Sequence, residues 1–217
     1  MNIKENLKTI QSNIPENVTL VAVSKTKPVS DLMEAYNAGQ RVFGENKIQE
    51  MAEKFEQMPK DIKWHMIGHT QRNKVKYMAE FVDLIHGVDS LKLLKEIDKQ
   101  AKKHERTIKC LLQIKIAEED SKFGMSSKDA VALIASDEFL KLKHINISGV
   151  MGMATFTDDE AQVKQEFDRL KTVFDTLKPN VHSLETISMG MSGDYELAIK
   201  SGSTMVRIGS SIFGSRA

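Results

Sequence analysis

The sequence has one cysteine, no long apolar run and no excess of either charge, and each of these absences excludes a class of protein. Cys110 is the only cysteine among 217 residues, so no internal disulfide can form and a reducing compartment is expected. No stretch approaches the roughly 18 apolar residues of a membrane span, and the N-terminus lacks the apolar centre of a signal peptide. Lys and Arg total 31 against 30 Asp and Glu, which gives no reason to expect nucleic acid or an anionic membrane as a partner. We therefore expect a cytoplasmic protein.

Short apolar runs alternate with helical stripes along the chain, after one amphipathic helix at the N-terminus. Strands are predicted at residues 18–23, 41–44, 64–67, 82–86, 108–116, 145–151, 184–189 and 204–208. A short helix is predicted over residues 71–79. The most regular stripe predicts a helix that covers a sheet, with members at steps of four and three: Val163, Phe167, Leu170, Phe174 and Leu177.

This alternation predicts a single α/β domain over residues 1–217. Eight strands with helices between them, at about 27 residues per unit, fit a closed (β/α)₈ TIM barrel with an extra N-terminal helix. A doubly wound sheet is the alternative, because parallel strands covered by helices on both faces read as apolar in either fold. In a barrel, the residues at the carboxyl ends of the strands form the functional site.

One predicted strand ends in a lysine that needs an explanation. In the stretch Leu20-Val-Ala-Val-Ser-Lys25-Thr-Lys-Pro28, Lys25 shares its face with Val21 and Val23, because side chains alternate along a strand. An ammonium group among apolar neighbours loses hydration, which lowers the pKa of a lysine and frees an amine for Schiff-base formation with a carbonyl compound. The alternative is a lysine that lays its stem along the apolar surface and keeps its charge in water.

The loops after the predicted strands carry the polar residues of a candidate site. The loops after strands seven and eight bring glycine and serine together, so that amides and hydroxyls could surround an anion, and barrels often bind phosphate there. Each of these loops also fits an ordinary tight turn. The candidate site residues in the loops after the strands are Asn46 after strand two, Ser188-Met189-Gly-Met-Ser192 after strand seven, and Arg207-Ile-Gly209-Ser210 after strand eight.

Lys25 and Arg207 would lie at the ends of strands one and eight, which are neighbours in a closed barrel. A Schiff-base amine, a phosphate cup and a guanidinium beside them would hold pyridoxal 5′-phosphate (PLP). An arginine at the pyridine nitrogen, unlike an aspartate, does not support a protonated ring. The ring would then be a weaker electron sink, which limits the chemistry.

These residues belong to a set of motifs that extends over nearly the whole chain. In these motifs the chain resembles the pyridoxal phosphate homeostasis protein family, the single-domain relatives of the alanine racemase barrel. In chain order the motifs are Val-Ala-Val-Ser-Lys25-Thr-Lys-Pro, Phe43-Gly-Glu-Asn46 with Gln49-Glu50, Trp64-His-Met-Ile-Gly68 with Gln71 and Asn73-Lys74, Ser121-Lys122-Phe-Gly124, Ser188-Met-Gly-Met-Ser192-Gly-Asp194, and Val206-Arg207-Ile-Gly209 through Ile212-Phe-Gly214-Ser-Arg216.

The resemblance implies a role for each candidate residue. Lys25 is the lysine that holds PLP as an aldimine, and Arg207 faces the pyridine nitrogen. The implied phosphate contacts are Ser192, Gly209 and Ser210, and the implied neighbours of the ring are Asn46 and Met189. The chain departs from the family pattern at Lys115 and Thr70, which affects the rim of the pocket.

The function implied is that of a protein that binds PLP reversibly and takes part in intracellular vitamin B6 homeostasis. It would buffer the cofactor or deliver it to PLP-dependent apoenzymes, without robust turnover of its own. The racemase relatives carry a second, β-rich domain and work as dimers in which a partner tyrosine supplies one base. This chain ends at Ala217, directly after the eighth strand, so we expect no such domain and, by analogy, a monomer.

Two enzymes remain as alternatives. A PLP-dependent amino-acid racemase would use Lys25 as one base and needs a second on the opposite face of the substrate. His69 or Asp194 could supply it from a loop, whereas no candidate is evident among the three tyrosines, Tyr36, Tyr77 and Tyr195. A lysine aldolase would instead use Lys25 to attack a phosphorylated sugar directly, without a cofactor.

Other polar residues have simpler interpretations. His65 and His86 fall within strands three and four, and we expect hydrogen-bonded histidines of the core or rim rather than metal ligands, because no carboxylate or cysteine spacing accompanies them. Lys74 and Lys122 are cationic candidates for a secondary anion site, or solvated surface residues.

Overall fold

The computed structural model describes residues 2–118 and 123–214, which form a barrel of eight strands surrounded by helices. The strands are β1 (Thr19–Val23), β2 (Val42–Glu45), β3 (Lys63–Met66), β4 (Leu84–Val88), β5 (Ile108–Gln113), β6 (Ile145–Met151), β7 (Thr186–Ser188) and β8 (Met205–Ile208). The helices are α1 (Ile3–Ser12), α2 (Val29–Asn37), α3 (Ile48–Gln57), a 3₁₀ helix (Arg72–Tyr77), α4 (Leu91–Lys103), α5 (Ser127–Ile134), α6 (Asp137–Leu140), α7 (Glu160–Leu177), α8 (Tyr195–Lys200) and α9 (Ser210–Phe213).

The strands are parallel and follow one another around a closed barrel, in which β1 pairs with β2 on one side and with β8 on the other. This closure confirms the predicted (β/α)₈ barrel over the doubly wound sheet, since an open sheet leaves its edge strands unpaired. The register sets Val21 of β1 opposite Arg207 of β8. The first and last strands therefore contribute neighbouring residues to one site.

Alternation along the strands separates two apolar cores. The larger core lies between the strands and the surrounding helices and includes Trp64, Phe43 and Phe167. A separate cluster, which we call the inner cluster, consists of one residue from each of five strands: Val21, Leu84, Leu111, Met151 and Met205. Side chains of alternate residues fill the barrel interior in this way. Lys25 continues the inward-facing series of Val21 and Val23, as its position in the sequence predicts.

Most predicted elements are confirmed, and the differences have local causes. The short helix expected over residues 71–79 is present as the shorter 3₁₀ helix Arg72–Tyr77. β5 ends at Gln113 rather than at residue 116, because the next two residues pair with Met125. The four-residue helices α6 and α9 were not predicted, since one helical turn leaves no periodic pattern in a sequence. Among residues 2–118 and 123–214, no helix has the length and apolarity needed to cross a bilayer.

Strands β6 and β7 approach so closely at Gly149 that no side chain fits there. A Cβ atom at this position would lie 1.9 Å from the carbonyl oxygen of Thr186. We expect Gly149→Ala to lower the free energy of unfolding by about 2 kcal/mol or more, because backbone must move apart to admit the methyl group. Gly193→Ala is the control, since a Cβ there meets no atom within 4 Å. Urea denaturation of both variants checks this, and equal midpoints would contradict the close approach.

Candidate functional site

A cavity of about 710 Å³ opens at the end of the barrel where the carboxyl ends of the strands meet. Its wall includes residues from the loops after β1, β2, β3, β6, β7 and β8. Six of the seven residues predicted to contact the cofactor line this cavity: Lys25, Asn46, Ser192, Arg207, Gly209 and Ser210. The structure thus brings together side chains that are up to 185 positions apart in the sequence.

Met189 is the predicted residue that the structure does not bring to the cavity. Its side chain is fully buried in the larger core, between the sheet and the helices. The preceding residue, Ser188, points inward and contacts Arg207, so alternation directs Met189 to the outside of the barrel. The Met189 side chain therefore lies behind the cavity wall, and its place near the ring stays a prediction.

Lys25 lies in a tight turn that leaves β1. The amide of Lys27 donates to the carbonyl of Ser24 at 3.1 Å, which closes the turn around Lys25. Thr26 adopts a φ of 64°, a left-handed conformation that is uncommon for a residue with a branched side chain. Its amide donates to Glu50 Oε1 at 2.6 Å, and this hydrogen bond helps to hold the strained residue in place.

A buried ionic network supports this turn from the outside of the barrel. Lys54 Nζ of α3 donates to the carbonyl of Ser24 at 2.9 Å, to Glu45 Oε1 at 2.8 Å and to Glu50 Oε1 at 2.7 Å. The side chains of Lys54 and Glu45 are 7% and 0% exposed. Burial raises the pKa of Glu45, and the ion pair with Lys54 acts in the opposite direction. The network joins the ends of β1 and β2 to α3.

Lys54 was not among the predicted site residues, although the sequence carries a signal for it. Lys54 follows Met51 by three positions on α3, and therefore lies on the face that buries Ile48 and Met51. A lysine inside an apolar stripe is a candidate for a buried ion pair, and the carboxylate four residues earlier, Glu50, supplies the partner.

Arg207 forms part of the floor of the cavity. Its side chain is buried, with Nη1 donating to Ser188 Oγ at 2.5 Å and Nη2 donating to the carbonyl of Gly152 at 3.1 Å. Burial lowers the pKa of Arg207 to about 10, while the charge of Asp194 acts to raise it. The guanidinium therefore remains a cation at neutral pH.

The loops after β7 and β8 meet at one side of the cavity. The amide of Gly209 donates to Ser192 Oγ at 3.3 Å, which places an amide and a hydroxyl side by side. Gly190 has a φ of 96°, a backbone conformation that favours glycine, and its carbonyl accepts from the amide of Arg207 at 2.9 Å. Ser210 follows at the same wall. This arrangement offers hydrogen-bond donors to a small anion.

Glu166 of α7 holds two loops at the cavity rim, and sequence analysis did not identify it. Its carboxylate accepts from the amide of Glu118, the amide and hydroxyl of Thr155, and the side chain of Gln162. Burial alone raises the pKa of Glu166, but these hydrogen bonds outweigh it and hold the pKa below the ordinary value of 4.5. Thr155 lines the cavity, so this clamp shapes its entrance.

Of the residues considered as a second base, the structure brings two to the cavity wall. His69 and Asp194 both line the cavity, with the His69 ring stacked on Phe123 at 5.0 Å between centroids. Asp194 Oδ1 accepts from the amide of Met191 at 2.5 Å. Within the part of the chain that the structure describes, the cavity wall includes none of the three tyrosines, Tyr36, Tyr77 and Tyr195.

The remaining predicted residues lie away from the cavity wall or outside the described chain. His65 and His86 are buried and hydrogen-bonded to each other at 3.0 Å, as expected for histidines of the barrel core. Thr70 is buried, whereas Lys115 is exposed after β5. Lys122 lies outside the described residues.

Comparison with known proteins gives consistent results over the whole chain. A family model for the alanine racemase N-terminal domain matches residues 1–217. The pyridoxal phosphate homeostasis protein of Pasteurella multocida is 40% identical over 231 residues, which cover 100% of this chain and 98% of the relative. The protein of the same name from Escherichia coli (strain K12) is 37% identical over 209 residues, covering 93% of this chain and 87% of the relative.

Solved structures share the barrel. PipY of Synechococcus elongatus, determined with PLP bound, is 34% identical with a TM-score of 0.88, and the match covers 98% of this chain and 100% of PipY. An alanine racemase of Clostridium difficile superposes with a TM-score of 0.84 at 16% identity, covering 99% of this chain and 60% of the racemase. At that identity the likeness shows the fold alone.

The ionic network around Lys54 generates a test of how the Lys25 turn is supported. Lys54→Met leaves the buried carboxylate of Glu45 without its cation, so we expect the free energy of unfolding to fall by about 3–5 kcal/mol. The double variant Lys54→Met/Glu45→Gln removes both charges and is expected to recover a large part of this loss. Urea denaturation of the two single variants and the double variant checks the coupling. Additive losses would show that the pair does not act as a unit.

The clamp around Glu166 predicts a dependence of stability on pH. Because the folded-state pKa of Glu166 lies below 4.5, its ionised form contributes stability above that pH, and the contribution is lost as pH falls through the folded-state pKa. Glu166→Gln is expected to cost about 1–3 kcal/mol at pH 7, since an amide cannot accept all these hydrogen bonds. The difference in the free energy of unfolding between Glu166→Gln and the wild type should become smaller below pH 4.5. The exposed Glu80→Gln is the control, and a constant difference across this range would contradict the clamp.

Proposed function

Because the chain belongs to the alanine racemase N-terminal domain family, together with the pyridoxal phosphate homeostasis proteins, we propose that it binds PLP reversibly and takes part in vitamin B6 homeostasis. Lys25 holds the cofactor covalently through its amine, and the protein buffers PLP or delivers it to other proteins. The support is the full-length similarity to proteins of that name and to PipY, whose structure was determined with PLP.

The observation that carries the proposal is the meeting of two cationic residues in one cavity. Lys25 and Arg207 come from β1 and β8, whose pairing sets Arg207 opposite Val21 on the inward-facing series that leads to Lys25. An amine and a guanidinium on one wall suit a ligand that has an aldehyde and a hydrogen-bond acceptor on the same ring. PLP has both.

The guanidinium of Arg207 fits the pyridine nitrogen. Its two hydrogen bonds to Ser188 and Gly152 use two of its five N–H donors, so donors remain for a ligand. An arginine has no acceptor, and a ring nitrogen that accepts from it keeps its lone pair for that hydrogen bond. Arg207 therefore selects the unprotonated ring.

The phosphate group fits the loops after β7 and β8. The Ser192 hydroxyl and the Gly209 amide lie side by side at 3.3 Å, and Ser210 lines the same wall. In the ligand-bound protein we expect both groups to turn their donors toward the phosphate, because a charge-assisted hydrogen bond is stronger than the neutral one between them.

Bound PLP supplies an aldehyde that reacts with amines and a ring that withdraws electrons. Lys25 makes use of the first property by retaining the cofactor until another amine displaces it. Arg207 limits the second property, because an unprotonated ring is a weaker electron sink. The residues thus favour holding the cofactor over amino-acid chemistry, and we propose a carrier rather than an enzyme.

A PLP-dependent racemase is the second candidate, and one observation favours it. His69 and Asp194 lie on the cavity wall and could act as the base opposite Lys25. Both are already engaged, His69 with the Phe123 ring and Asp194 with the Met191 amide, and this supports the carrier.

The proposal extends to partners and location. We propose that PLP-dependent apoenzymes receive the cofactor, that the chain acts as a monomer, and that it acts in the cytoplasm. The support for the location is the single cysteine of the sequence, which fits a reducing compartment. The support for delivery is the covalent yet reversible bond that a lysine amine forms with an aldehyde.

Replacing Lys25 tests the central claim. The wild-type protein mixed with PLP is expected to show an absorption band near that of a PLP–amine adduct, which borohydride fixes on the peptide containing Lys25. Lys25→Ala should lose the band and the adduct while keeping wild-type stability. Lys27→Ala is the matched control, because Lys27 belongs to the same turn and also lines the cavity. An adduct that maps to Lys27, or no adduct, would refute the proposal.

The carrier is distinguished from the racemase by two further assays on the loaded wild type. A carrier restores activity to a PLP-dependent apoenzyme and does not exchange the α-proton of alanine with deuterated solvent. Exchange that is lost in His69→Gln or Asp194→Asn would establish the racemase instead. A loaded protein that releases no PLP to the apoenzyme would remove the delivery role.

A further inference from the structure

Arg207 is the first member of a row of buried polar side chains that crosses the barrel interior. Beyond the 2.5 Å contact from Arg207 Nη1, Ser188 Oγ lies 3.1 Å from His86 Nδ1, and His86 Nε2 lies 3.0 Å from His65 Nδ1. His65 Nε2 then lies 3.6 Å from a carboxylate oxygen of Asp83. The row begins at the cavity and ends just before β4, at the opposite end of the barrel.

Among the five members of the row, only Asp83 is substantially exposed to solvent. The four inner members, Arg207, Ser188, His86 and His65, are each at most 4% exposed, whereas the Asp83 side chain is 33% exposed. The apolar inner cluster, with Leu84 and Met205 among its members, occupies the same interior. Electrostatic interactions along the row are therefore weakly screened.

The chemistry of the two ends favours one direction for the hydrogen bonds along the row. An arginine can only donate, and an ionised carboxylate can only accept. Burial lowers the pKa of both His65 and His86, so each ring is neutral at pH 7 and carries one proton. Contact with His65 holds the pKa of Asp83 below its ordinary value despite partial burial, so Asp83 is ionised.

With these states, one arrangement satisfies all the contacts. Ser188 accepts from Arg207 and donates to Nδ1 of His86, and Nε2–H of His86 donates to Nδ1 of His65. Nε2–H of His65 then points at Asp83, across a distance longer than a normal hydrogen bond but short enough for attraction between the N–H dipole and the carboxylate. Each proton in the row points away from Arg207.

The reverse arrangement would disturb Arg207. If both rings carried their proton on Nδ1, His86 would donate to Ser188, and the Ser188 hydroxyl proton would be free to turn toward the N–H groups of Arg207. Asp83 opposes this arrangement, because Nε2 of His65 would then present a lone pair to a carboxylate. Asp83 therefore biases the whole row toward the orientation in which Ser188 offers an acceptor to the guanidinium.

We propose that Ser188, His86, His65 and Asp83 form a positioning relay, in which Asp83 at the far end of the barrel fixes how Arg207 presents its remaining donors to the cavity. The part of this inference that concerns the ligand rests on the proposed function, in which those donors contact the pyridine nitrogen of PLP. Asp83, His65 and His86 act through Arg207 and need not touch the cofactor. The relay makes the hydrogen bond to the ring depend on a residue outside the cavity.

The first test uses the unloaded protein labelled with ¹⁵N and needs no cofactor. NMR of the wild type should show both imidazoles neutral, with the proton on Nε2. Asp83→Asn removes the bias, since an amide both donates and accepts, and it should introduce the other tautomer and shift the guanidinium resonance of Arg207. Asp61→Asn is the control, because Asp61 also precedes a strand and accepts a hydrogen bond, from Tyr36. An unchanged Arg207 signal in Asp83→Asn overturns the relay.

The second test measures PLP binding and the NMR shift of its ¹⁵N-labelled ring nitrogen. His86→Leu is expected to weaken binding about tenfold through the loosened anchor of Arg207, and Asp83→Asn about threefold. His86→Gln keeps a donor and an acceptor and should restore most of the affinity. The ring-nitrogen shift should move in His86→Leu and Asp83→Asn but not in Asp61→Asn, and a shift that stays constant in both overturns the relay.

The two tests keep the inference separate from the proposed function. A wild-type protein that binds no PLP refutes the proposed function, while the spectra of the unloaded protein still decide whether Asp83 controls Arg207. If His86→Leu fails to fold, the partly exposed Asp83→Asn provides the same comparison. Binding of PLP with identical spectra and affinities in Asp83→Asn and the wild type refutes the relay alone.

Discussion

The pairing of β8 with β1 is the constraint on which the whole site depends. In an open sheet these strands would be edges, and Lys25 and Arg207 would lie at opposite sides of the molecule. Closure sets Arg207 opposite Val21, and alternation then directs Lys25 into the same interior. The loops after β7 and β8 meet Lys25 for the same reason. One line of backbone hydrogen bonds therefore assembles the amine, the guanidinium and the Ser192 loop.

A barrel that gathers cationic groups at its mouth must also support them, and this chain does so on both sides of its sheet. Outside the strands, Lys54 with Glu45 and Glu50 holds the turn that carries Lys25. Inside the strands, the row that begins at Ser188 holds Arg207. Buried charges are costly unless they are paired and hydrogen-bonded, and in each support the cation, Lys54 or Arg207, donates to buried acceptors. The two supports share no residue.

The sequence predicts those features that depend on local period. The alternation of side chains along a strand was sufficient to predict that Lys25 shares a face with Val21. The regular stripe of apolar residues was sufficient to predict α7. Features that depend on contacts across the barrel could not be predicted from the sequence, because no local pattern shows that Ser188 of β7 contacts His86 of β4. Met189 shows a related limit, because its motif identifies the loop after β7, whereas the direction of its side chain follows from where β7 ends.

Under the proposed function, the chemistry of the loaded site follows from Arg207. A guanidinium that can only donate leaves the ring nitrogen unprotonated, so the ring contributes little to removing a proton from a bound amino acid. Racemisation would then need strong bases on both faces. The candidates for the second base are His69, which stacks on Phe123, and Asp194, which accepts from a backbone amide. With a weak electron sink and both candidate bases already in contact with neighbouring groups, this arrangement favours holding the cofactor over using it, as the proposed function requires.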